Sequence, residues 1–161
     1  MADIFIQFDG ITGESVDAKH SGWIEVSSFS EGLSAPGSTG LGTGGAVGKP
    51  SFAPFGFTTI QGKHTVNIKQ KMFAGKHLDK VKVAFVKQAG DNTISQDYYT
   101  VEMEHVFVTN YSLGKGEGSL GHETYMIEAE KATWEYFAQG SDGKLTSVGT
   151  SSYDQKKAQA A

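Results

Sequence analysis

Apolar side chains in this chain fall mostly on every second position, the spacing that gathers them on one face of a β-strand. Ile4, Ile6 and Phe8 alternate with Phe5 and Gln7, and Asp9-Gly10 and Thr12-Gly13-Glu14-Ser15 follow as turn-forming residues. A second strand is predicted from about Trp23 to Ser34. Ile24 and Val26 share one face of it, but farther on the apolar residues are Phe29 and Leu33. That change of parity predicts a β-bulge near Ser27-Ser28. With Phe29 and Leu33 turned to the core, Ser28 and Ser30 point away from it. Residues 35–50 are rich in glycine and carry no pattern that buries a face, so they read as a long excursion loop, a kind of segment that is usually functional or disordered. An aromatic strand region follows at Phe52, Phe55, Phe57 and Ile60.

One helix is predicted, from about Thr65 to Ala74. Thr65 is placed to cap its start, Val66, Ile68, Met72 and Phe73 supply an apolar side, and Gly75 ends it. Val81, Val83 and Phe85 then alternate with Lys80 and Lys82, and Gln88 to Asn92 reads as a turn. The strand from Tyr98 to Val108 puts Tyr99, Val101, Met103 and Phe107 on one face, with His105 in the same row. After a turn at Gly114–Gly118, a strand beginning at Glu123 shows Tyr125, Ile127 and Ala129, then Ala132, Trp134 and Tyr136, which predicts a second bulge at Glu130-Lys131. Gly140–Gly143 turns into a short strand at Leu145–Val148, and Gln155–Ala161 reads as a polar tail. Roughly seven strands, bent by bulges and joined by regular turns, imply a mainly β fold: a closed barrel of two sheets, one flanking helix and a long Gly-rich loop.

Length and composition narrow the class. The 161 residues suit one domain, residues 1–161, able to bury its own core. There is no cysteine, so disulfides and thiolate metal sites are excluded, and folding in a reducing compartment is the expectation. The start of the chain has an acid where a secretory signal needs a base, and no apolar run approaches the length of a membrane span. Export without a cleaved signal and no membrane span are therefore expected. Net charge is −4, and every one of the 14 basic residues is a lysine. Without a guanidinium fork for bases or phosphates, nucleic acid is not an expected partner.

The apparent chemical motifs lack their contexts. Gly40–Gly45 and Gly116–Gly121 both match G-x-G-x-x-G, but neither leads into a helix whose N-terminus would hold a pyrophosphate. Gly48-Lys49 is followed by Pro50 where a phosphate-binding loop needs Ser or Thr for magnesium. The histidines His20, His64, His77, His105 and His122 are not paired at a ligand spacing, and His105 reads as a core or interface residue. Glu102 with Glu104, and Glu128 with Glu130, are paired carboxylates, but alternating acids opposite an apolar face are the wet side of a sheet. No catalytic residue, cofactor or metal site is expected, and the chain does not read as an enzyme.

Several segments, in order along nearly the whole chain, resemble the haemolysin-coregulated protein family, Hcp. They are M-A-D-I-F-I-Q-F-D-G-I-T-G-E-S, I-E-V-S-S-F-S-E-G-L-S, G-T-G-G-A-V-G-K-P, T-V-N-I-K-Q-K-M-F-A-G-K, V-K-V-A-F-V-K-Q-A-G, E-M-E-H-V-F-V-T-N-Y-S and the closing S-Y-D. The resemblance implies a two-sheet barrel with a helix on its flank, a homohexameric ring, and rings stacked into the tube of a bacterial type VI secretion system. It further implies carriage of effectors in the lumen, contact with spike, sheath and baseplate proteins, and passage from the cytoplasm to the outside. Within that frame the Gly-rich loop, with Pro36, Leu41, Ala46, Val47 and Lys49, is expected to contact the next ring, and Ser28 and Ser30 to face the lumen. The other reading open at this stage is a monomeric barrel with a small ligand inside it.

Overall fold

The computed structural model describes residues 3–38, 46–88 and 95–160. The strands are β1 (Ile4–Phe8), β2 (Ile24–Ser30), β3 (Leu33–Ser34), β4 (Gly37–Ser38), β5 (Ala46–Val47), β6 (Ser51–Phe52), β7 (Phe55–Ile60), β8 (Leu78–Gln88), β9 (Ser95–Gly114), β10 (His122–Gln139), β11 (Leu145–Asp154) and β12 (Gln159–Ala160), with helix α1 at His64–Ala74 between β7 and β8. Strands β10, β7, β2, β1, β8 and β9 pair antiparallel in that order, and β9 pairs back to β10, closing the sheet into a barrel of six strands. Alternate residues of the barrel strands fill the interior. Phe8, Phe57, Met103, Tyr125 and Ile127 are among the side chains with at most 1% of their surface exposed.

The bulge predicted on β2 is present: the β2–β7 register shifts between Val26 and Ser28, which turns Phe29 onto Phe55 and Phe85 and leaves Ser28 and Ser30 exposed. The strand does not run on to Ser34, however. It stops at Ser30, and Leu33, expected in the core, is 60% exposed because it belongs to a separate ladder in which Leu33 faces Phe52. The 35–50 segment also has more structure than its composition suggests. Gly37–Ser38 pairs with Ala46–Val47, so the loop is the end of a two-stranded hairpin rooted on β3 and β6. Backbone pairing does not need an apolar face, so periodicity gives no sign of it.

Strand β9 is twice corrected. It continues to Gly114, and its inward row changes parity: Val101 and Met103 are buried, and so are Val106 and Val108, while Phe107 faces outward at 38% exposure. The change happens at His105, whose φ of 55° lies in the left-handed region, a conformation that costs an L-residue about 1–2 kcal/mol. His105 is therefore on the surface instead of in the apolar row. The parity change expected at Glu130-Lys131 sits directly opposite. Ala129 and Ala132 are both buried, yet the β9–β10 register passes from Ala129↔Val106 to Lys131↔Glu104 without gaining a residue. Two strands twist together there, so it is a matched kink and not a one-sided bulge.

Helix α1 ends as predicted, on Gly75 with φ 63°, which only glycine adopts without strain. Its start and its face differ from expectation. Lys63 occupies the N-cap position without a side-chain cap, and Thr65 sits inside the first turn, buried with His64 and Ile68. Val66 and Phe73 are 69% and 78% exposed. Phe5, apparently apolar on the outer side of β1, is covered by the chain's own excursion between β1 and β2, where its ring stacks on His20 at 4.6 Å. The polar tail folds back: β12 pairs with Tyr153 and Asp154, and Gln155 is bonded into the barrel wall. Residues 89–92 of the predicted turn lie outside the described residues.

Phe57, stacked on Tyr125 at 4.9 Å and edge-on to Phe8 at 5.7 Å, is expected to cost about 3–5 kcal/mol when changed to Ala. Phe73→Ala is expected to fall within about 0.5 kcal/mol of the parent. Urea unfolding of the two variants checks the assignment; a comparable loss at Phe73 contradicts the exposed placement.

Candidate functional site

The outward residues of β2 form a small polar surface. Ser27 Oγ donates to the Thr58 carbonyl at 2.9 Å and Ser30 Oγ to that of Gly56 at 3.5 Å. Gly56 lets the two strands approach closely there: a Cβ would lie 2.8 Å from Ser30 Oγ and 3.0 Å from Met126 Sδ, so those side chains would have to shift. Ser28 and Ser30, predicted from parity, are thus brought together on one exposed face. Nothing in the local sequence pattern marks the adjacent Glu31 as part of this surface. Its carboxylate accepts a hydrogen bond from the Tyr99 hydroxyl and another from Trp134 Nε1 at 2.8 Å, so it joins the end of β2 to β9 and β10. Burial, and then the Glu31 carboxylate, raise the Tyr99 phenol well above its ordinary pKa. Of the predicted loop residues, Pro36 and Lys49 are exposed, and Gly48 N donates to the Pro36 carbonyl across the hairpin. Ala46 and Val47 form β5, but their side chains lie outside the described residues, as does Leu41.

A second polar cluster lies where α1 meets the barrel. Glu123, fully buried, accepts hydrogen bonds from His64 Nε2 at 2.9 Å, Thr65 Oγ1 at 3.1 Å and the Tyr111 hydroxyl at 2.7 Å. A buried carboxylate persists only when its lone pairs are used in this way. Glu123 therefore fixes the first turn of the helix, where the expected Thr65 cap is diverted to it. The Tyr111 phenol is pushed up to about 12, first by burial and then by its hydrogen bond to Glu123 and that group's charge. The sequence held one clue: Glu123 stands in the inward row with Tyr125 and Ile127.

A continuous six-strand barrel with one short helix, a pinned hairpin and a wet outer face matches known folds over its full length. The family model described as type VI secretion system effector, Hcp, matches residues 5–136. This chain belongs to the Hcp family. A protein described as the structure of a type six secretion system protein superposes with a TM-score of 0.90 at 27% identity, each chain covered completely. Hcp1 from Salmonella typhimurium gives a TM-score of 0.81 at 25% identity, again over 100% of both chains. A type VI secretion system effector from Yersinia pestis gives 0.74 at 25% identity, over 94% of this chain and 99% of its own. No curated protein sequence matches.

In this Hcp-family chain three of the four paired carboxylates lie in surface ion pairs. Glu102 meets Lys80 at 3.2 Å, Glu104 meets Lys131 at 3.4 Å, and Glu130 lies 3.8 Å from His105. His20 bridges Asp17 and Asp97 at 2.6 and 2.7 Å between Phe5 and Trp23, which locks the β1–β2 excursion to the start of β9. His77 and His105 stack at 4.0 Å on the surface. Among the described residues no three His, Asp or Glu side chains converge to hold a metal. Gly116–Gly121 forms a turn in which Ser119 Oγ binds Gly116, with no helix behind it.

Because Tyr111 is held neutral in the folded protein, its contribution to stability is complete below pH 10, the ordinary value, and is lost as pH rises through about 12. Glu123→Gln is expected to lower the Tyr111 pKa and to cost about 1.5–3 kcal/mol through its lost charge-assisted bonds. Tyrosinate absorbance against pH, with urea melts at neutral pH, measures both. An unshifted titration contradicts the Tyr111–Glu123 bond.

Proposed function

We propose that this chain is the structural subunit of the type VI secretion tube: homohexameric rings stack into a hollow inner tube that the machine expels, with effectors inside and the spike at its tip. The observation that carries this reading is the family match over residues 5–136 joined to whole-chain superposition on type VI secretion proteins. The fold supports it physically. Barrel closure uses up the edges of its six strands, so assembly depends on the particular surfaces and edges left outside the barrel. The subunit is made in the bacterial cytoplasm and leaves through the type VI apparatus, in contact with spike, sheath and baseplate proteins. Among the described residues no helix is long and apolar enough to cross a membrane.

The hairpin loop, with Pro36, Leu41, Ala46, Val47 and Lys49, is the element we assign to the neighbouring ring. Its glycines make ordering against that ring costly in entropy, which keeps stacking reversible. Ser28 and Ser30 are assigned to the lumen, where small hydroxyls hold cargo through contacts weak enough to release. The rival reading, a monomeric ligand-binding barrel, has less support, since Phe8, Phe57 and Tyr125 fill the interior. Light scattering is expected to show six times the 17.2 kDa chain mass; a monomer at tens of micromolar overturns the tube reading. Replacing residues 36–49 by a short Gly-Ser turn is expected to leave the ring whole and to abolish tubes and secretion. Ser30→Gln is expected to reduce co-purification of cargo at unchanged ring mass.

A further inference from the structure

Barrel closure leaves one long strand with an open side. On one side β11 pairs with β10 from Leu145 to Asp154, but on the other it meets β12 only at Tyr153 and Asp154. Among the described residues, Leu145–Ser152 therefore present a row of backbone N–H and C=O groups with no strand beside them. Edges of this kind are usually guarded by lysine, inward charge or proline. From Leu145 to Ser152 the sequence is Leu-Thr-Ser-Val-Gly-Thr-Ser-Ser, with no charge and no proline. The one guard is an extra residue at Val148, where Tyr136 faces Gly149 and Phe137 faces Ser147. Val148 is 68% exposed. An edge so weakly protected, carrying an exposed valine, is suited to being covered.

A second open edge lies elsewhere on the same chain. Among the described residues strand β3 pairs with β6 alone, its side chains are small or apolar, and Leu33 is 60% exposed. The segment Leu33-Ser34-Ala35-Pro36 is also uncharged, and Pro36 limits how far any added pairing can extend. Two different edges on one subunit are what a head-to-tail contact requires, since each copy offers one edge and receives the other.

We propose that the β3 edge of the hairpin in one copy adds as a short antiparallel or parallel strand to the Leu145–Ser152 edge of β11 in the next, bringing Leu33 against Val148. The occupant is a second copy of this chain, and the contact is β-strand addition, in which main-chain hydrogen bonds give affinity and the bulge and Pro36 confine the register. This rests on the ring reading above and specifies its lateral contact. The base of the hairpin works within a ring, while the loop beyond it reaches the next ring.

The absence of cysteine makes a direct test clean. Ser34→Cys is combined in turn with Thr146→Cys and with Thr150→Cys, and the assembled protein is oxidised and run on a denaturing gel without reductant. All three positions are exposed. At least one pair is expected to give a covalent ladder ending at the ring, reversed by reductant, whereas the single variants stop at dimers. A native ring whose chains all run as monomers on the gel overturns this contact and leaves the ring reading intact. Absence of any ring overturns both. Cross-links to a foreign co-purified protein in place of a second copy also overturn it. Leu33→Asp and Val148→Asp, both at exposed positions, are expected to raise the concentration midpoint of ring dissociation at least tenfold with an unchanged circular dichroism spectrum. An unchanged midpoint in both variants counts against the proposal.

Discussion

The structure depends on how the two edges of β10 are shared. One edge is bonded to β9 along almost its entire length; the other serves β7 for residues 122–127 and β11 for residues 131–139. One strand cannot feed a closed barrel and an outlying ribbon on the same edge without changing direction between them. The change occurs at Ala129–Lys131, opposite the left-handed His105. Carbonyls freed at the kink are taken up by Gln155: its backbone N–H donates to Glu130 at 2.8 Å and its Nε2 to Ala129 at 2.7 Å, while its Oε1 accepts from Phe52 N at 2.9 Å. A single glutamine thereby closes the kink, anchors the C-terminal segment and fixes the root of the hairpin.

That arrangement separates the parts that hold the subunit together from those that face outward. The interior is filled by aromatic and aliphatic side chains, and the two excursions that could cover or block it are fastened by buried polar groups. His20 fastens the β1–β2 excursion through two aspartates, and Glu123 fastens the helix through three donors. Removing one partner from either cluster leaves a buried polar group unsatisfied, so these residues are stability elements with strict requirements. The hydroxyl-rich face of β2 beside Glu31, the root of the hairpin and the open side of β11 lie among the outward-facing parts.

Much of the barrel was legible because its cause is local. Alternation in β1, β8 and the first half of β10 follows from a strand with one buried face, and the bulge on β2 shows as a break in that alternation. The Gly75 stop needs only a backbone preference. The failures share a reason too. Phe107, Leu33, Val66 and Phe73 are apolar, and periodicity assigns apolar residues to a core, yet all four are exposed. Burial is decided by what packs opposite, and where β9 kinks at His105 its inward row passes to Val106 and Val108, leaving the equally apolar Phe107 outside. The polar contacts were hidden for the same reason. His20 meets Asp97 and Glu31 meets Trp134 across 77 and 103 residues of sequence, respectively.

The sequence by itself determined a cysteine-free, arginine-free β-barrel with one helix, a glycine-rich loop and the ordered segments of the Hcp family, because strand periodicity, turn chemistry and composition act over a few residues at a time. Only the tertiary structure decided which apolar residues are core, which polar groups are paired, and which strand edge stays open. Those depend on how β10 divides its hydrogen bonds between β7 and β11, and that is settled by closure of the whole barrel.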